Sequence, residues 1–96
     1  MFVALCRLEL FLLDEPNSLK GKRQVVRSIK ERIRNKFGAS VAEVDDHDKW
    51  QRATLGIAYV TRERIDAEGV ITKIFGFIEG DGTVEVIDKY LDYQSI

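Results

Sequence analysis

The chain has 96 residues, 45% of them apolar and 32% charged, with a formal net charge of −1. A chain of this length makes one domain with one core and buries roughly 60–65% of its unfolded surface, so it folds alone without much margin. One cysteine, Cys6, excludes a disulfide framework and fits a reducing cytoplasm, while Arg7 and Glu9 interrupt the best apolar run, residues 2–13, and exclude a membrane span or a secretory apolar region there.

That first segment alternates. Phe2, Ala4, Cys6, Leu8, Leu10 and Leu12 form an unbroken apolar row, and Val3, Leu5, Arg7, Glu9, Phe11 and Leu13 a mixed one. Period two with one cleaner face predicts a strand packed on a core. Asp14, Glu15, Pro16 and Asn17 end it in a turn, since Pro cannot donate to a sheet ladder.

Ser18 then stands where a helix N-cap belongs. Leu19, Val26, Ile29, Ile33 and Phe37 follow at helical spacing with Val25 beside them, and Gly38 supplies a left-handed C-cap. Residues 19–37 also hold eight of the fifteen basic residues against one acid, Glu31, for a local charge of +7. The near-neutral total therefore hides a bipolar molecule, whose clustered charge is expected to meet a partner of opposite sign. Lys20, Arg23, Arg27, Lys30 and Arg34 fall in one stripe opposite the apolar one. They span about 21 Å at 1.5 Å per residue, a length that matches several successive phosphates. The bland alternative is a solvated face whose charges pair with acids elsewhere in the chain.

Residues 40–45 predict a short strand, Asp45-Asp46-His47-Asp48-Lys49 a hairpin loop, and Trp50–Thr61 a third strand. The odd positions of that strand, Ala53, Leu55, Ile57 and Tyr59, are apolar. Its even positions Trp50, Arg52 and Thr54 are more polar. Thr61 is placed to cap a second helix near 62–79, with Ala67, Val70, Ile71, Ile74 and Ile78 inward; Gly69 and Gly76 weaken it. Gly80-Asp81-Gly82 makes a turn, and a final strand runs from Val84 toward Tyr93.

The order strand, helix, strand, strand, helix, strand is the α+β, ferredoxin-like split βαβ arrangement, one domain over residues 1–96. Both helices then cover one face of a four-stranded antiparallel sheet. The open face carries Val3, Leu5, Arg7, Glu9 and Phe11 beside Trp50, Arg52 and Thr54.

The run Ser18-Leu19-Lys20-x-Lys22-Arg23, then Val26, Ile29 and Phe37, then Val41-Ala42-Glu43-Val44-Asp45 and Trp50-Gln51-x-Ala53-x-Leu55-Gly56, resembles the YlxP-like family, a small bacterial family. The match covers most of residues 2–60. The resemblance implies a ferredoxin-like fold and a link to translation or ribosome assembly, because family genes often neighbour genes of those processes. It brings no catalytic residues.

Several smaller constellations have competing readings. Lys22 falls on the apolar side of the helix in its first turn. Its stem is expected to lie over the core edge with the ammonium in water; the functional alternative is an amine aimed, with Ser18, into a cleft beside the turn at 14–18. Arg7, Arg52, Phe11 and Trp50 offer the charge and stacking surfaces of an RNA-binding sheet, but Gln51–Gly56 lacks the aromatic pair of RNA-recognition motifs. Val3, Leu5, Phe11 and Trp50 are better read as a patch covered by a second subunit. Glu43, Asp45, Asp46, His47 and Asp48 lack calcium-loop spacing and read as a solvated hairpin tip rather than a metal site. Cys6 reads as a buried, inert hydrophobe. No cofactor is implied. The resulting expectation is a cytoplasmic, self-associating, non-catalytic module whose first helix meets RNA or a ribonucleoprotein. Its rivals are a scaffold docking an acidic protein, and a small-ligand or enzyme domain at Ser18 and Lys22.

Overall fold

The computed structural model describes residues 1–13 and 18–96; the turn expected at 14–17 lies outside the described residues. The elements run β1 (Phe2–Leu12), α1 (Leu19–Phe37), β2 (Ser40–Asp45), β3 (Arg52–Thr61), α2 (Arg64–Glu79) and β4 (Val84–Ser95). The sheet order is β2-β3-β1-β4 and every neighbouring pair is antiparallel. With the two helices on one face, this is the ferredoxin-like split βαβ fold.

The apolar row of β1 decides the arrangement. Ala4, Leu8, Leu10 and Leu12 are buried beneath the helices, and Cys6 nearly so. Their register partners Ala53, Leu55 and Ile57 on β3 share that face because directly opposed residues in a sheet point the same way. Helix α1 contributes Val26, Ile29 and Ile33, and α2 contributes Ala67, Ile71, Ile74 and Ile78. Phe37 and Val70, expected inward, are only partly buried at the rim.

The caps explain the helix ends. Ser18 Oγ accepts from the Gly21 N–H at 3.1 Å, satisfying a first-turn donor with no partner inside the helix. Gly38 takes φ +68° and its N–H donates to Arg34 O. Helix α2 begins at Arg64 rather than near 62, with Glu63 at the N-cap position and no side-chain cap bond. Thr61, the expected cap, instead donates its hydroxyl to Asp66 Oδ2 at 2.7 Å, a carboxylate that Tyr59 Oη also reaches at 2.9 Å.

Two irregularities break the sheet. A bulge in β4 opposite Glu9/Leu10 passes over Ile87, and a bulge in β2 between Glu43 and Asp45 passes over Val44. A Cβ added at Gly56 would stand 2.9 Å from Val44 Cγ1, so glycine lets the bulged strand lie close against β3. The third strand begins at Arg52; Trp50 and Gln51 belong to the bend before it.

Candidate nucleic-acid interface

The basic residues of the stripe all lie on α1, but their surroundings differ. Lys20, Arg23 and Arg27 are exposed and Lys30 is half-exposed. None of the four makes an ion pair with another described residue. Arg34 is also largely exposed, yet its guanidinium turns onto β2 and donates to Val41 O at 2.5 Å. That bond ties α1 to the backbone of the short edge strand. The remaining four cations span about 15 Å along the helix.

The other basic residues of α1 serve the fold. Arg32 pairs with Asp81 at 2.7 Å, where the Asp81 side chain is almost fully buried. Burial alone would raise the Asp81 carboxyl, but hydrogen bonds from Thr83 and Arg32 outweigh it and hold it below the usual range. The Arg32 guanidinium also lies over the Phe77 ring, and Lys36 sits over Phe37 and Phe77.

Lys22 departs from expectation. Its side chain is 1% exposed, and its ammonium lies 2.9 Å from Glu43 Oε2 and donates to the Asp46 carbonyl. The reason is the register of β2. Glu43 opposes Leu55, so it belongs to the helix-covered face and brings a carboxylate to the lysine there. With the ammonium held by these two groups and Ser18 Oγ held by Gly21, the cleft reading finds its amine and hydroxyl both engaged in structure.

Asp46 closes the same corner. It occupies φ +63°, a left-handed conformation that aspartate tolerates better than most residues. Its Oδ2 accepts from Thr54 at 2.8 Å and its Oδ1 pairs with Lys49 at 3.1 Å. The Thr54 hydroxyl, then Lys49, hold the carboxyl below its ordinary value. Thr54 lies on the open face yet is fully buried, because the hairpin folds back over it. Asp45 meets Arg7 at 3.5 Å. Three of the hairpin acids are thus engaged by basic or hydroxyl groups, and among the described residues no group of three or more His, Cys, Asp or Glu converges as a metal set.

The open face divides in two. Val3 and Leu5 lie opposite Val60 and Ala58. Leu5 and Val60 are 36% and 60% exposed, and Leu5, Ala42 and Ala58 line one shallow groove. Phe11 and Trp50, expected in the same patch, stand at the other end of β1, about 20 Å along the strand, with Arg7 and Glu9 between. Phe11 is half-buried opposite Arg52, and Trp50 is 51% exposed. On the helix-covered face, burial pushes the Cys6 thiol up to about 11, as expected of an inert buried cysteine.

This geometry defines a ferredoxin-like domain with a cationic helix and a partly apolar open sheet face. Residues 3–90 match the family described as "Protein of unknown function (DUF503)". The chain is also 35% identical over 74 residues to "Uncharacterized protein YlxP" of Bacillus subtilis (strain 168), covering 77% of this chain and 80% of that protein. The protein therefore belongs to the DUF503 family, that of YlxP, as the motif resemblance indicated. Among solved structures, a de novo designed protein with a ferredoxin fold is similar at TM-score 0.49 and 14% identity, covering 98% of this chain and 84% of its own. No helix among the described residues is long and apolar enough to cross a membrane.

Proposed function

We propose that this protein is a non-catalytic binding module that uses α1 on RNA or a ribonucleoprotein. The observation that carries the reading is the set Lys20, Arg23, Arg27 and Lys30. These cations share one outward helix face and have no ion-pair partner among the described residues. Each cation that neutralises a phosphate releases condensed counterions, which is the main source of sequence-independent nucleic-acid affinity. The cations meet phosphate rather than bases, because a straight row on a helix flank reaches a backbone and carries no groove-reading pattern. A cytoplasmic location and a partner from translation or ribosome assembly belong to this reading through the family resemblance. Binding of structured RNA as a function of salt tests it. Salt-insensitive binding to one acidic protein, with little RNA affinity, would replace it with the scaffold reading.

A second reading concerns assembly and is compatible with the first. Exposed Leu5 and Val60, with half-buried Val3 and Ala58, form an apolar patch at one end of the open face. A second copy of the chain covering that patch removes its apolar surface from water.

A further inference from the structure

We infer that the outer edge of β4 is a pairing surface for a second copy of this chain, whose own β4 adds to it antiparallel about a two-fold axis at Leu91.

The direction of the backbone groups fixes what that edge offers. Leu13 N–H donates to Thr83 O, and Ile96 N–H donates to Met1 O. Alternation between these two ends turns the backbone groups of Val3, Leu5, Arg7 and Glu9 toward β4, and their register partners Gln94, Asp92, Tyr90 and Asp88 toward β1. Lys89, Leu91 and Tyr93, which lie between, present N–H and C=O outward, where β4 ends the sheet. The Lys89 N–H shows the consequence, since it donates to the Asp88 carboxylate of its own chain at 2.9 Å.

The two edges of the sheet differ. β2 has 6 residues and a bulge, whereas β4 has 12 and continues unbroken from Asp88 to Ser95 beyond its bulge at Ile87. A long regular edge is a template for another strand unless something blunts it. No proline lies in that stretch, and its one lysine, Lys89, lies over the Phe75 ring at 4.8 Å. Apolar surface is also left over on both faces of the strand. Tyr90, opposite Arg7 on the open face, is 74% exposed, and Leu91, opposite Cys6 on the helix-covered face, is 38% exposed. A strand laid along this edge covers both.

The order of charges along β4 makes its own copy the fitting partner. Two-fold antiparallel pairing sets one residue opposite itself. With Leu91 at the axis, Lys89 opposes Tyr93, Tyr90 opposes Asp92 and Asp88 opposes Gln94, so no like charges stand directly opposite. The outward groups of Lys89, Leu91 and Tyr93 then bond to those of the partner strand. An axis at Tyr90 sets Asp88 against Asp92, and an axis at Lys89 or Asp92 sets that charge against itself, arrangements that destabilise a strand pair. The assembly closes at two copies because the pairing consumes both long edges and leaves only the short, bulged ones. It uses no residue of α1 and none of the Leu5 and Val60 patch. A single-strand ladder buries less than a standard interface, so this pairing is weak and sets in above the micromolar range.

The test follows amide hydrogen exchange in the intact protein from micromolar to millimolar concentration. The Leu91 and Tyr93 amides should exchange freely when dilute and become protected when concentrated, while the Tyr90 and Asp92 amides, bonded to β1, stay protected throughout. Mass is read by light scattering on Val60→Glu protein, whose open-face patch carries a charge; it should rise from monomer to dimer over the same range. In that background Leu91→Lys and Leu91→Glu each set a like charge against itself at the axis and should remain monomeric, whereas an equal mixture of the two should dimerise. Protection of the Tyr90 and Asp92 amides shows that each variant is folded. Leu91 and Tyr93 amides that exchange alike at both concentrations overturn the inference. So does protection at every concentration with a monomer mass, which would assign the edge to a contact within the chain. Association that persists in both charge variants places the interface elsewhere, and a folded mixture that stays monomeric removes the two-fold axis at Leu91; either result overturns the inference.

Discussion

The Lys22 ammonium stands 2.9 Å from Glu43 Oε2 with both side chains withdrawn from water, the lysine almost completely. This contact joins the first turn of α1 to the end of β2. Removing one member strands the other as a buried charge, whereas exchanging both for apolar groups removes the desolvation cost together with the attraction. Lys22→Ala should therefore cost about 3–5 kcal/mol, and Lys22→Met with Glu43→Leu should fall near the wild type. Urea unfolding of the two singles and the double reads the coupling directly. Singles that each cost little would mean that the pair does not anchor the hairpin.

Ile29 sits in the centre of the α1 stripe and is buried under the sheet. Ile29→Ala leaves a cavity in the hydrophobic core of a small domain and should cost about 2–5 kcal/mol. The midpoint of urea unfolding measures it. A change within error would place the stripe in the wrong register.

The two cases show what the sequence carries. Ile29 was legible because helical spacing alone puts it inward, as it does for Val26 and Ile33. Alternation likewise identified the buried row of β1. Lys22 was legible in position but not in environment. Spacing shows that it lies on the apolar side, while its partner depends on which face Glu43 takes, and that depends on the register of a short bulged strand. Arg34 fails for a similar reason, since its stripe neighbours give no sign that its guanidinium reaches a β2 carbonyl. The open face read as one patch because alternation gives the face of a residue and not its place along the strand. Val3 and Phe11 share a row yet stand near opposite ends of it.

The hairpin gives the protein an acid-sensitive corner. Asp46 has its carboxyl lowered first by the Thr54 hydroxyl and then by Lys49. A carboxyl lowered by folding contributes stability that is complete above its unfolded value, about 3.9, and that is lost as pH falls through the folded value. Thr54→Val removes the first of these causes. It should cost about 1 kcal/mol at neutral pH and shrink the loss of stability on acidification. Urea midpoints from neutral pH down to the acid limb measure both, and an acid limb identical in wild type and variant would remove Asp46 from the account.

The patch at Val3, Leu5, Ala58 and Val60 predicts self-association at micromolar concentration. Leu5→Glu or Val60→Glu places a charge in that interface and should yield monomers, with helix content unchanged because both residues face away from the core. Light scattering gives the mass. A wild type that remains monomeric at high concentration contradicts the prediction.

The central claim is that the outward cations of α1 meet phosphate, and the salt dependence of RNA binding tests it most directly. Four contacts, from Lys20, Arg23, Arg27 and Lys30, predict a log–log slope of affinity against salt of about −3. Replacing any one of them with alanine should flatten the slope by about one unit and weaken all RNA sequences alike. Arg34→Ala should flatten the slope by less than that, since one guanidinium nitrogen is held at Val41 O. Changing the four to glutamate should abolish binding while the domain stays folded. A wild-type protein with no salt-sensitive affinity for structured RNA at low ionic strength, or a four-glutamate variant that binds as well as the wild type, would contradict the account.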